Sequence, residues 1–162
     1  MRWMHSTAAL LFGAAFLLAE PVAAAGAGDV SAVKSAALPA AIEGTLSSML
    51  GAMRGRDAAA LDRTLAQGIE PQIVYYWGET VSGRDAILQW HREWFAETGW
   101  SIEPGPITHA LVGADVAVVS ATMRYIKSAE RQFLILVSHE LTREASGWKV
   151  ARIQQTLLEG PE

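Results

Sequence analysis

His139, Arg152 and Gln154, with Tyr125 nearby, are residue types that together could move a proton and hold the molecule it leaves. An imidazole that titrates near neutrality can take up and return a proton. A guanidinium beside it could hold a carboxylate or an enolate-like oxygen. A second set, Tyr75, Tyr76, Glu79 and His91, offers a phenol donor, a carboxylate base and another imidazole, which are parts for enolising a ketone. Candidate catalytic residues are therefore His139, Arg152, Tyr76 and His91. Candidate ligand contacts are Tyr75, Trp77, Trp94, Tyr125 and Gln154. Each set also has a purely structural reading. The first can be a buried polar patch. His91, four residues from both Ile87 and Phe95, can be a satisfied core histidine. In a strand only one of Tyr75 and Tyr76 faces inward, and the residues leave open which. Trp77, Trp90, Trp94 and Trp100 suit core or an aromatic wall for a flat apolar ligand.

These residues need elements to carry them. Ile42, Leu46, Met49, Leu50 and Met53 form an apolar stripe at i, i+4, i+7, i+8 and i+11, which predicts a helix over 39–53 with Pro39 in its first turn. Asp57 can cap a second, short helix holding Leu61 and Leu65, ended by Gly68. Gln72 to Trp77 reads as a strand, and Gly78 to Gly83 as a turn. Ser82 with Asp85 resembles a capping pair for a third helix running to about Thr98, with Ile87, His91, Trp94 and Phe95 on one face.

From Trp100 the texture becomes strands. Ser101 to Ala110 is Pro-interrupted, hence an edge. Residues 115–126, 132–142 and 148–157 follow, joined by short polar turns that make antiparallel hairpins. Helices first and strands after predicts an α+β fold, with helices on one face of a curved antiparallel sheet. If Tyr125 opposes Phe133, then Val119 opposes His139; if Leu141 opposes Val150, then His139 opposes Arg152. Trp148, Val150, Arg152, Gln154 and Thr156 would then share one face, since strand side chains alternate with period two. Leu134 and Leu136 fall on the opposite, otherwise polar face and suggest an oligomer interface, a homodimer by expectation.

Composition narrows the function classes. The 162 residues carry a net charge of −4 and no cysteine. Mild acidity argues against nucleic acid, and no Lys/Arg run suggests an anionic membrane. Thiol chemistry and thiolate metal sites are excluded. The chain opens with Arg2 and His5, an apolar run over 8–19 too short to span a bilayer, then Ala23-Ala24-Ala25. This reads as a signal peptide over 1–25 and predicts a periplasmic or secreted protein with no membrane contact after cleavage. A flexible leader over 26–37, one domain over 38–158 and a tail over 159–162 complete the expected organisation. His91, His109 and His139 lie on three elements without a close-spaced ligand pair, so no metal site is expected. No phosphate-binding Gly loop or G-x-S-x-G elbow is present.

Three segments resemble the nuclear transport factor 2-like superfamily, also called the SnoaL-like or ketosteroid-isomerase-like fold. Tyr75-Tyr76-Trp77-Gly78-Glu79 followed by Val81-Ser82-Gly83-Arg84-Asp85-Ala86-Ile87 looks like the family's strand, turn and helix start. Gly113-Ala114-Asp115-Val116-Ala117 looks like its strand entry, and Gly147-Trp148-Lys149-Val150 like its closing strand. Arg152 stands where many bacterial members carry His, and Ile153 where they carry Asp. The resemblance covers roughly residues 38–158. It implies a cystatin-like cone, a curved sheet wrapped around a long helix with a pocket at the open end. Members range from isomerases, dehydratases and lyases to binding modules, and fold alone does not choose among them. The ketosteroid-isomerase-like members use carboxylates inside the cone, whereas the strands here offer few inward acids. The expectation is thus a small-molecule pocket protein performing cofactor-free acid–base chemistry on an apolar or aromatic molecule, with a non-catalytic binding or oligomerisation module as the alternative.

Overall fold

The computed structural model describes residues 31–32 and 38–161. The expected signal peptide over 1–25 and most of the expected leader over 26–37 lie outside them. Within that leader, Ser31–Ala32 (β1) pairs antiparallel with Leu111 and Val112.

Helix α1 (Ala40–Gly55) begins behind Pro39, whose carbonyl accepts from Ile42 and Glu43. It ends at Arg56, which adopts a left-handed φ of 54°. That conformation costs a non-glycine residue about 1 kcal/mol. The Arg56 guanidinium lies 4.6 Å from the Trp100 ring centroid, a cation–π contact of similar size. Two bonds fix the path of α1. Thr45 Oγ1 donates to Trp148 O at 3.0 Å and Arg54 Nε to Ile102 O at 3.3 Å. Those acceptors sit on distant strands, so the helix crosses the sheet. Ile42 and Met49 are its fully buried anchors, each worth about 1.5–3 kcal/mol of burial.

Helix α2 (Ala58–Thr64) is capped as expected, with Asp57 Oδ1 accepting from Ala60 N at 2.9 Å. It stops at Thr64, before Gly68, and Leu65 bridges to Val150. Strands β2 (Gln72–Val74) and β3 (Thr80–Ser82) form a small hairpin, with Tyr75 N donating to Glu79 O. The expected strand over 72–77 is therefore shorter, and half of the expected turn is itself a strand. Helix α3 (Arg84–Ala96) has Gly83 as N-cap, with no side-chain cap bond. The Ser82–Asp85 capping pair does not form, because Ser82 is paired in β3 and bonded to Gln72 Nε2.

Strands β4 (Ser101–Val112), β5 (Val116–Ile126), β6 (Gln132–Glu144) and β7 (Gly147–Glu159) form the main meander. The curved sheet runs β1-β4-β5-β6-β7-β2-β3, and it stays open. It is mixed rather than wholly antiparallel: β2 runs parallel to β7. The expected β5–β6 register holds throughout, with Tyr125 opposite Phe133 and Val119 opposite His139. Leu141 does oppose Val150. Just beyond it a β-bulge at Ala151 shifts the ladder by one residue. His139 therefore pairs with Ile153, and Arg152 with Glu140. A one-residue slip moves every later side chain to the other face.

The concave face buries Ile135, Val137 and Leu141 of β6, Val119 of β5, and Val150 and Ile153 of β7. These meet Ile42, Met49, Leu61, Ile87 and Phe95 from the helices in one core. Among the described residues, no helix is long and apolar enough to cross a membrane.

Candidate functional site

Sheet curvature and the crossing helices leave one end of the core unfilled. The result is a cavity of about 610 Å³, well within the size range of small-molecule sites. Its floor is the apolar ladder of β5 and β6. Its wall is aromatic and comes from the β2–β3 turn and α3.

That wall is a ladder of rings. Trp77 stacks on Tyr75 at 4.4 Å, Tyr75 on Trp90 at 4.4 Å, and Trp94 on Trp100 at 4.1 Å. Trp90 and Trp94 sit one helical turn apart on α3, with centroids 5.7 Å apart, which joins the two stacks. Tyr125 closes the far side, accepting from Trp94 Nε1 at 3.1 Å. Both Tyr75 and Tyr76 line the cavity. The alternation rule that allowed only one of them fails because β2 ends at Val74 and the chain is already turning.

Two imidazoles line the cavity as well. His91 is buried on α3 and its Nδ1 lies 2.7 Å from Ile87 O, a bond in which Nδ1–H donates. The neutral ring then keeps its Nε2 lone pair free of a proton. Burial lowers the His91 pKa, outweighing that backbone bond. His139 sits on β6 between Val119 and Ile153. Burial, which penalises the imidazolium, lowers it to about 4, against a smaller opposing pull from the Val119 backbone. Its Nδ1 is sealed from solvent without a hydrogen-bond partner. The Tyr75 hydroxyl is in the same condition, with the residue only 4% exposed. Burial first, and the Glu79 charge second, raise the Tyr75 pKa, so the phenol stays protonated. Unpaired buried polar atoms cost about 1–3 kcal/mol each and are uncommon in folded chains.

Of the residues expected at the site, His139, His91, Tyr75, Tyr76, Trp77, Trp94 and Tyr125 come together around the cavity. Arg152 and Gln154 do not. The bulge at Ala151 turns both to the convex face, where Arg152 Nη1 lies 3.8 Å from Glu140 Oε1. Gln155 and Ile153 take the inward positions. The proposed His139–Arg152 pair therefore does not exist. Glu79 engages Trp77 Nε1 at 2.9 Å, outside the cavity lining.

Sequence reasoning overlooked three carboxylates on the cavity, Glu43, Glu93 and Glu97. A signal for them was available. Trp90, Glu93, Trp94 and Glu97 occupy i, i+3, i+4 and i+7 of one helical face, and Glu43, Leu46, Ser47 and Leu50 repeat that spacing on α1. Only the apolar members of each face were read.

Comparison with known proteins agrees with this geometry. A search of curated protein sequences finds no match. Solved structures do match. A proposed dehydratase of the NTF2-like family from Streptomyces avermitilis is 18% identical, over 74% of this chain and 95% of that one, with a TM-score of 0.64. A proposed calcium/calmodulin-dependent protein kinase type II association domain from Thiobacillus denitrificans is 18% identical, over 72% and 94%, with a TM-score of 0.63. A ketosteroid isomerase-like protein from Erwinia carotovora atroseptica is 16% identical, over 74% and 95%, with a TM-score of 0.57. Likeness at this identity speaks for the fold alone. The model of the SnoaL-like domain matches residues 42–157. The chain therefore belongs to the SnoaL-like domain family, within the nuclear transport factor 2-like superfamily.

Proposed function

We propose that this protein is a cofactor-independent acid–base enzyme, of isomerase, dehydratase or lyase type, acting on an apolar or aromatic small molecule. The observation that carries this reading is the pair of unpartnered polar groups on the cavity, Tyr75 OH and His139 Nδ1, set among the apolar side chains of β2, β5, β6 and β7. A protonated phenol can donate to a carbonyl or a leaving hydroxyl. A neutral imidazole can accept a proton and return it at another carbon. With its pKa lowered to about 4 by burial, His139 is a weak base. Its basicity would rise as the C–H bonding pair moves onto a bound substrate, which is when a base is needed. The names of two structural neighbours, a proposed dehydratase and a ketosteroid isomerase-like protein, fit this reaction class.

The test is turnover of small ketones and β-hydroxy carbonyl compounds by the purified protein. His139→Gln and Tyr75→Phe should each lower kcat by about 10²–10⁴-fold. Unchanged rates in both variants would remove this site.

A second reading rests on a different observation. Leu134 and Leu136 sit half-buried on the convex face, opposite Arg124 and Thr122 of β5. They suit a homodimer contact, and one structural neighbour is a proposed association domain. Light scattering should give twice the chain mass, reduced to the chain mass in Leu134→Arg; a monomeric wild type would count against it. Export remains our proposal too. Mass spectrometry of protein recovered from its host should find Gly26 as the first residue.

A further inference from the structure

We propose that the cavity selects an organic cation: an aromatic or polycyclic body carrying an ammonium or iminium group. This rests on the reading of the cavity as a ligand site and adds the charge of the ligand. The charged side chains that line the cavity are Glu43, Glu93, Glu97 and Lys127, three carboxylates against one ammonium. With Arg152 turned to the convex face, no guanidinium of the described residues lines the cavity to meet a carboxylate or phosphate. Of the three buried polar atoms without partners among the described residues, Arg152 Nε lies outside the cavity lining, and the two on the cavity belong to neutral groups, the Tyr75 phenol and the His139 ring. Neither repels a cation, and both can accept a hydrogen bond from one.

The wall is built for the same charge. Ring faces attract cations through their quadrupole, most strongly those of Trp. Tyr75, Tyr76, Trp77, Trp90, Trp94 and Tyr125 line the cavity together. The chain's own cations already use this cluster. Lys127 Nζ lies 5.7 Å from the Tyr125 centroid, and Arg56 lies over Trp100 at the outer end of the ring ladder. Trp77 is 49% exposed, stacks on the buried Tyr75 and gives its Nε1–H to Glu79, which leaves a ring face at the rim beside a carboxylate. A ligand would enter with its ring system toward Ile135 and Val137 and leave its charge among Trp90, Glu93, Trp94 and Glu97.

The charge also suits the chemistry. When a neutral base takes a proton from a neutral carbon acid in an apolar cavity, two opposite charges are created there, which is costly. A proton passing from a cationic substrate to neutral His139 only relocates one positive charge. For an iminium ligand the proton leaves the carbon next to C=N⁺, and the C–H bonding pair becomes the C=C bond of a neutral enamine as the C=N π pair moves to nitrogen. The imidazolium returns the proton at the far carbon of that conjugated system; an ammonium ligand would bind without this step.

Three probes of one shape decide the point: (2-naphthylmethyl)trimethylammonium, its carbon isostere 2-neopentylnaphthalene, and the anion 2-naphthylmethanesulfonate. Calorimetry or tryptophan quenching should show the cation binding at least tenfold more tightly than the isostere, with the sulfonate weakest. The triple variant Glu43→Gln, Glu93→Gln, Glu97→Gln changes exposed carboxylates and spares the core. It should lose the cation preference by about tenfold and bind the neutral isostere as before. If the isostere or the sulfonate binds as well as the cation, charge selection is wrong while the ligand cavity stands. If the preference survives in the triple variant, the carboxylate assignment is wrong. If none of the three binds, both this inference and the ligand-site reading fall.

Discussion

The two halves of β7 obey opposite rules. From Gly147 to Val150 the strand follows simple alternation, and Trp148 and Val150 face the helices. From Arg152 to Leu157 the odd-numbered residues take the concave side: Ile153 is buried and Gln155 lines the cavity, while Arg152 lies on the convex face. A single extra residue, Ala151, separates the halves. Bulges re-aim side chains and bend a strand, and they are common near functional sites. The lesson is that one extra residue, Ala151, decides whether a guanidinium stands in this cavity. Without the slip Arg152 would face His139 and offer an anionic group a partner. With the slip its formal charge is set by helix-borne glutamates.

The sharpest way to break that comparison is to put charge on the face the bulge assigns as interior. Ile153→Asp should cost about 3–5 kcal/mol, since it buries an unpaired carboxylate among apolar neighbours. Arg152→Asp, one position away, should leave folding far less affected. Urea unfolding of the two variants measures the contrast. Comparable losses would mean that the slip is misplaced.

The next largest effect is acid sensitivity. His139 and His91 both have folded-state pKa values below the ordinary 6.5, so the folded chain binds fewer protons than the unfolded one. Their burial as neutral rings is fully tolerated above about pH 6.5, and stability falls as pH drops from there toward 4. For His139, lowered from 6.5 to about 4, the loss amounts to at most about 3 kcal/mol. Its cavity-face neighbours Val119, Val137, Leu141 and Ile153 carry no charge that could offset it. His139→Gln should flatten most of this slope in urea midpoints collected between pH 7 and pH 4. An unchanged slope would place the titration elsewhere.

The parts of the molecule readable in the sequence are those where period and face agree. The stripe from Ile42 to Met53 specified α1, and Asp57 announced the start of α2. The β5–β6 register followed from apolar alternation because that ladder contains no irregularity. Reading failed wherever one residue broke a period. Ala151 carries none of the Gly or Pro chemistry that advertises a bulge, so Arg152 and Gln154 were drawn inward. Tyr75 and Tyr76 both reach the cavity because the strand has ended, which residue types alone do not disclose. The segment 78–83 reads as a turn from its glycines, yet holds β3, whose pairing with β2 comes from tertiary context. Glu93 and Glu97 share a helical face with Trp90 and Trp94, a spacing that an apolar stripe alone does not register.

A smaller effect separates function from stability inside the cavity. Tyr75→Phe removes a hydroxyl that has no partner and keeps the ring that stacks between Trp77 and Trp90. Deleting an unsatisfied buried donor should be neutral or stabilising by about 1 kcal/mol. For a domain of this size that raises Tm by about 2–6 °C. Turnover should fall in the same variant. A less stable Tyr75→Phe would mean that the hydroxyl has a partner in solution, such as an ordered water, and would weaken its claim to wait for a ligand.

The smallest expected effect belongs to the residue that first drew attention. Arg152 is 43% exposed at its side chain and its pairing with Glu140, at 3.8 Å, is loose. Such pairs contribute between about 0 and 1 kcal/mol. Arg152→Ala should therefore shift the urea midpoint marginally, and the shift should shrink further as salt screens the pair. The variant should bind the naphthyl probes as the wild type does, because its site lies across the sheet from theirs. This separates the two faces more cleanly than any interior substitution, since a large change in ligand binding from so mild an alteration can arise only if Arg152 reaches the cavity. A tenfold or greater change in affinity for the sulfonate probe would return the guanidinium to the concave face, and with it an anionic ligand.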